Sequence, residues 1–155
     1  MSVSEGMERT IKGKAVVPGK AQGVAIVSRQ PLSLWGGLNP QTGEIIDRRH
    51  DRSGAVVTGK VFVYPTGKGS STTSTILMES VRAGTAPVAI VNLTPDPLSA
   101  LGAIVADELY GRVVPIVTVS QKDFDAICEG DALTVERDGT IVLERSDRVG
   151  DSREQ

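Results

Sequence analysis

At 155 residues, with 39% apolar and 23% charged side chains, the chain has the size of one globular domain and enough apolar mass for a real core. One cysteine and one histidine exclude an internal disulfide, a multi-thiolate metal site and a zinc centre built on several histidines, and they leave a Ser-His-Asp triad only one possible base. A net charge of −2, 3% aromatics and no apolar run near the roughly 18 residues of a membrane span give no signal for nucleic acid or membrane, so a cytoplasmic setting is expected.

Charge is unevenly spread. Residues 1–75 hold ten Lys or Arg against five Asp or Glu, and residues 76–155 hold seven against fourteen. The basic half ends in a hydroxyl-rich stretch, which favours an anionic small molecule or partner surface; chance placement of solvated charge explains the asymmetry equally well.

In chain order, residues 1–10 and 147–155 are polar and expected to be flexible, with the folded domain over 11–146. Residues 14–17 and 24–28 read as strands of a hairpin turning through Pro18-Gly19-Lys20. A long Gly- and Pro-rich loop follows around the single Trp35. Strands are predicted at 55–57 and 60–64, then a helix over 71–83 that stops at Gly84. Residues 87–92 read as a buried strand. Asp96-Pro97 opens a second helix reaching about residue 110, with Leu98, Leu101, Ile104, Val105 and Leu109 as its expected buried stripe. A strand at 113–119, a helical turn at 123–129 and a hairpin of 132–137 with 140–145 about Asp138-Gly139 complete the pattern. The fold class is α/β, a mixed sheet with a parallel βαβ core and flanking antiparallel hairpins.

The most informative stretch is GKGSSTTS at 67–74, two glycines and a run of hydroxyls where a buried strand hands over to a helix. The first N–H groups of a helix have no intrahelical partner and the macrodipole is positive there, so an anion or a developing alkoxide is stabilised. An ordinary N-cap has the same local appearance. The phosphate-loop template requires four residues between its glycines and then Lys-Ser or Lys-Thr, and the stretch fails it. The switch-point rule for sheets with parallel strands nevertheless puts the site at 67–73.

With these segments in place, four stretches in order, LSLWGG with NPQTGEIID, GKGSSTTS, GTAPVAIV and DPLSALGAIVADELYG, resemble the small subunit of the aconitase X family over roughly 13–119. The resemblance implies a swivelling β/β/α domain related to the small domain of aconitases and isopropylmalate isomerases. Those enzymes carry a similar Gly-x-Gly-Ser-Ser loop whose first serine is the base, which here is Ser70, with Lys68, Gly69, Ser71 and Thr72 as implied substrate contacts. Their loop continues Arg-Glu-His where this chain has Thr72-Thr73-Ser74, so the substrate-gripping arginine has no counterpart.

Positive potential from helix-terminal amides and Lys68 would make the alkoxide accessible, each such donor being worth about 3 to 4 kcal/mol when removed. A solvated Lys68 and a backbone-capping Ser71 are the ordinary alternatives.

The resemblance further implies dehydration of a small anionic hydroxy acid, cis-3-hydroxy-L-proline to 1-pyrroline-2-carboxylate by the likeness of LSLWGG to bacterial members, with mevalonate 5-phosphate as the alternative. It implies an iron-sulphur cluster ligated by a large subunit and not by this chain, so that the chain is active only with that partner. Trp35, Gly36 and Gly37 are candidates for contacting that subunit or closing the site, against a loop anchored by a buried indole. Arg48, Arg49, His50 and Arg52 suit an acidic partner or a solvated loop, and Cys128 is expected to be buried or incidental. VVPGKAQGVAIV also resembles the opening strands of phosphohistidine carriers, whose mobile loop needs a histidine; a non-catalytic anion-binding module is the remaining reading.

Overall fold

The computed structural model describes residues 7–68 and 72–145. Its strands are β1 (Met7–Lys12), β2 (Lys14–Val17), β3 (Ala21–Val27), β4 (Val61–Val63), β5 (Ala89–Asn92), β6 (Ile116–Thr118), β7 (Ala132–Val135) and β8 (Thr140–Arg145). Between them lie a short turn α1 (Leu34–Gly37) and helices α2 (Thr73–Ala83), α3 (Pro97–Tyr110) and α4 (Gln121–Ala126).

The sheet order is β1-β8-β7-β3-β4-β5-β6-β2. The run from β3 through β6 is parallel, as the alternation of apolar strands and helices predicts, and both flanks are antiparallel. β3 is the seam, since Ala21–Val24 pair with β7 and Ala25–Val27 with β4. β1 and β2 are separated by Gly13 alone yet lie at opposite ends of the order, so the sheet curls until its edges approach.

Central strands are apolar on both sides because both sides are covered. Phe62, Ile90 and Ile116 belong to the core beneath α2 and α3, whereas Val61, Val63, Ala89, Val91 and Val117 join Ile11, Phe124, Leu133 and Ile141 in a second core enclosed by the antiparallel strands.

Several expectations are corrected. Residues 14–17 and 24–28 form no hairpin: β2 pairs with β6, and β3 lies at the centre of the sheet. Residues 7–10, expected in a flexible end, belong to β1 and pair with β8. At 55–57 there is one bridge, Glu44 to Val56, rather than a strand. α4 begins at Gln121, ahead of the expected helical turn, because Ser120 Oγ accepts the Asp123 N–H and caps it. Cys128 is exposed. The hairpin about Asp138-Gly139 is present, with Gly139 at φ 96°.

The largest correction concerns α3. Asp96 caps it and Pro97 opens it as expected, but its buried residues are Ser99, Gly102, Ala103 and Ala106, while Leu101, Ile104 and Leu109 are exposed. The small face lets α3 lie against α2 so closely that a Cβ on Gly102 would come within 2.7 Å of Ser74 O and 2.9 Å of Ser74 Cα. A clash with backbone does not relax cheaply.

A strap ties the 39–43 turn to α2. Gln41 Nε2 donates to Glu79 Oε2 at 3.0 Å, Arg82 Nε donates to Glu79 Oε1 at 2.9 Å with a second Arg82 contact beside it, and Thr85 Oγ1 donates to Pro40 O at 2.6 Å. The Arg82 and then the Gln41 hydrogen bonds hold the Glu79 carboxyl down to about 2, against an ordinary value near 4.5.

Two outcomes are expected. Gly102→Ala gains about 1 kcal/mol of helix propensity and loses about 1–3 kcal/mol to overpacking, so its urea midpoint should fall. Because the fold favours ionised Glu79, the strap's contribution is complete above pH 4.5 and is lost as pH falls through about 2. The stability difference between wild type and Glu79→Gln, followed by pH-dependent melting, should therefore vanish at the acid end.

Candidate functional site

β4 ends at Val63, and the chain leaves the sheet through Tyr64-Pro65-Thr66-Gly67-Lys68. This exit is held from three sides. Tyr64 N–H donates to Val91 O at 3.1 Å, and Leu93 N–H donates back to Pro65 O at 2.9 Å. Leu32 forms a parallel bridge with Gly67, its N–H donating to Thr66 O and its carbonyl accepting from Lys68 N–H, both at 3.2 Å.

From α3 comes Asp96, whose Oδ2 occupies the space a Gly67 Cβ would need. The same carboxylate accepts the Leu98 N–H at 3.1 Å and the Ser99 hydroxyl at 2.6 Å. Glycine at 67 is thus a requirement of close approach.

Of the sequence-predicted site residues, Lys68 and Thr72 flank a segment whose members Gly69, Ser70 and Ser71 lie outside the described residues. Lys68 is exposed, its backbone fixed to Leu32. Thr72 is the N-cap residue of α2 and makes no side-chain capping bond. α2 has no acidic residue in its first turn and carries Arg82 in its last, so its positive N-terminal end is uncompensated by neighbouring carboxylates of the helix.

Three buried polar atoms have no hydrogen-bond partner among the described residues: Thr73 Oγ1 in the first turn of α2, Tyr64 Oη after β4 and Asn92 Oδ1 at the end of β5. The Asn92 amide itself donates to Tyr64 O at 2.9 Å. Burial, and then the Asp96 carboxylate, push the Tyr64 phenol well above its ordinary range, so it stays neutral. Sequence reasoning passed over Tyr64, Asn92 and Asp96 as site neighbours; two apolar strands each ending in one polar residue is the signal that was there to read.

The structure also assembles a cluster the sequence did not announce. At the end of β3, Ser28 Oγ donates to Asp51 Oδ1 at 2.7 Å and lies 3.2 Å from His50 Nε2, which is 3.2 Å from Gln30 O. The composition is that of a catalytic triad, but the polarity is reversed. His50 Nδ1 accepts the Arg52 N–H at 3.2 Å, which leaves the proton on Nε2 to be donated to Gln30 O and Ser28 Oγ. The imidazole therefore takes no proton from the serine. It is 6% exposed and clamps the 47–52 loop to 28–30, so it is no docking residue. Arg52 is paired with Glu129 at 2.9 Å, whereas Arg48 and Arg49 remain exposed. Trp35 is 57% exposed beside Gly36 at φ 80°, which removes the buried-anchor reading.

Metal donors are sparse. Among the described residues no three His, Cys, Asp or Glu side chains cluster to hold an ion, and the chain's single thiol is exposed at Cys128. An iron-sulphur cluster needs several thiolate positions, so these residues do not fit one. No helix among the described residues is long and apolar enough to cross a membrane.

Comparison with known proteins agrees with this geometry. The aconitase X swivel domain matches residues 10–143. The cis-3-hydroxy-L-proline dehydratase of Pseudomonas aeruginosa is 42% identical over 114 residues, which is 74% of this chain but 20% of that protein. This chain therefore spans about a fifth of the length of the hydroxyproline dehydratases it matches. The phosphomevalonate dehydratase small subunit of Methanosarcina acetivorans is 35% identical over 126 residues, covering 81% of this chain and 83% of that one. The crystal structure of Thermococcus kodakaraensis aconitase X, in its holo form, superposes with a TM-score of 0.79 at 34% identity, over 87% of this chain and 98% of the matched chain. With its mixed curled sheet, parallel centre and glycine-bounded loop at the end of β4, the chain belongs to the aconitase X swivel-domain family.

Proposed function

We propose that this chain is the small subunit of an aconitase X-type dehydratase, contributing Ser70 as the base that removes a proton next to the substrate carboxylate. The observation that supports this reading is the placement of its described flanks: Gly67 and Lys68 follow the carboxyl end of a parallel strand and are fixed by Leu32 and Asp96, and Thr72 is the N-cap residue of α2.

A serine hydroxyl is a poor base in water. The positive end of the α2 dipole would favour the deprotonated oxygen, and Lys68 would add positive potential from solvent. The neutral Tyr64 phenol does not compete for the proton. In this scheme the Cα–H bond breaks, its proton passes to the deprotonated Ser70 Oγ, and the electron pair forms a Cα=Cβ double bond as the β-hydroxyl departs. With hydroxyproline the resulting enamine shifts its N–H proton to Cβ, leaving the C=N bond of 1-pyrroline-2-carboxylate. Lys68, Gly69, Ser71 and Thr72 contact the substrate, whose carboxylate is held by the α2 amides. An iron-sulphur cluster, ligated by the large subunit, would supply the Lewis acid for the departing hydroxyl.

The substrate is cis-3-hydroxy-L-proline, giving 1-pyrroline-2-carboxylate. Support comes from the LSLWGG stretch; identity does not separate the two substrates, being 42% to the Pseudomonas aeruginosa enzyme and 41% to the phosphomevalonate dehydratase small subunit of Thermococcus kodakarensis. A second reading, mevalonate 5-phosphate, is favoured by overall length, since this chain spans 83% of the Methanosarcina acetivorans small subunit. A phosphorylated substrate needs more cations than Lys68 supplies at the described edge of the loop, and these would have to come from the partner. A phosphohistidine carrier is disfavoured because His50 is buried with both ring nitrogens engaged. The enzyme works in the cytoplasm on this reading.

Two measurements on the complex with its large subunit, reconstituted anaerobically, test the proposal. Ser70→Ala should lower kcat by about 10² to 10⁴ with KM little changed; loss of affinity at constant kcat would instead identify a passive anion-binding module. Turnover of cis-3-hydroxy-L-proline should exceed that of mevalonate 5-phosphate in kcat/KM, and the reverse order would select the second reading.

A further inference from the structure

Buried small residues on α3 leave its large ones facing outward. Leu101, Ile104 and Leu109 are 50%, 54% and 60% exposed, with Leu98 and Val105 half-buried on the same face. Aliphatic side chains at this spacing form a continuous stripe along one side of a helix, and such a patch marks an interaction surface. Asp107 and Glu108 are exposed on the same helix, which carries no Lys or Arg. An anionic lipid surface is a poor occupant for such a helix.

We infer that this outward face of α3 is the docking surface for the large subunit, which presents to it an apolar groove with a basic edge. The inference rests on the small-subunit reading above. Two further observations choose this occupant over others. In the Pseudomonas aeruginosa relative, the matched region is a fifth of one chain, so the same domain there is accompanied by about four times its own mass of protein.

The second observation is position. α3 starts at Asp96, the residue against Gly67, so a partner that covers the exit of β4 lies beside this helix. A standard interface buries about 800 Å² per partner, a patch roughly 30 Å across. At about 1.5 Å per residue, Leu101 lies roughly 8 Å and Ile104 roughly 12 Å along the axis from Asp96, both inside such a footprint, whereas Leu109 lies near its rim at roughly 20 Å.

The test titrates the large subunit into wild type, Leu101→Asp, Ile104→Asp, Leu109→Asp and the milder Leu101→Gln by calorimetry, with circular dichroism melts to establish folding. Association should weaken about tenfold or more for Leu101→Asp and Ile104→Asp and less for Leu109→Asp. Leu101→Gln should follow in the same direction, and kcat should recover at saturating large subunit. Equal affinity of wild type and the folded variants would overturn the assignment of this face while leaving the small-subunit reading intact. Failure of wild type itself to bind would overturn both. Altered self-association of the isolated variants, with unchanged affinity for the large subunit, would assign the face to a second copy of this chain and also overturn the inference.

Discussion

The site depends on how closely α3 approaches the two flanks of one loop. On the strand side the Asp96 carboxylate fills the volume a side chain at Gly67 would take; on the helix side Gly102 rests against the Ser74 backbone. Both contacts come from the first two turns of α3, so a single rigid element fixes where the loop leaves the sheet and where it enters α2.

This constraint explains which parts of the fold could be read in the sequence. Local rules sufficed where the signal was local: Asp96 and Pro97 for the start of α3, Gly84 for the end of α2, and Asp138-Gly139 for the β7–β8 hairpin. They failed for pairing between distant segments. Pro18-Gly19-Lys20 is a turn in composition, yet the strands it joins go to different parts of the sheet, because β2 closes the far edge against β6 while β3 fills the centre. Helix periodicity misled for a related reason. On α3 the large apolar side chains define a face, and the ordinary inference is that such a face is buried within its own domain. Here the buried face is instead the one with Ser99, Gly102, Ala103 and Ala106, since close approach to α2 excludes anything larger. The glycines and hydroxyls at 67–74 drew attention to the strand-to-helix junction, and the family resemblance singled out Ser70, which lies outside the described residues; the Asp96 carboxylate beside Gly67 became visible only once α3 was placed against the end of β4.

The chemistry near the loop is set by neutral groups more than by charges. Tyr64, Asn92 and Thr73 place polar atoms in the interior without a formal charge among them, and Tyr64 is kept in its protonated form by burial and by Asp96. A buried cation here would stabilise an alkoxide in the resting protein and would cost several kcal/mol of desolvation. Backbone amides and a helix dipole carry no such penalty, since they are already oriented by the fold. His50 fits the same division. Its ring is committed to the clamp between 28–30 and 47–52.

On the proposed reading, the base and the acid of one dehydration belong to two polypeptides, and the exposed side of α3 ties that arrangement to the fold. A helix that turns its small side chains to its own domain and keeps its aliphatic ones half outside contributes less to the stability of the isolated subunit, by roughly half of the 1.5–3 kcal/mol that full burial of each large side chain is worth. The same side chains become available for association, where a few well-packed anchors dominate affinity. Because α3 also packs against Gly67 and Ser74, a partner docked on its outer face would rest on the element that positions both described flanks of the site.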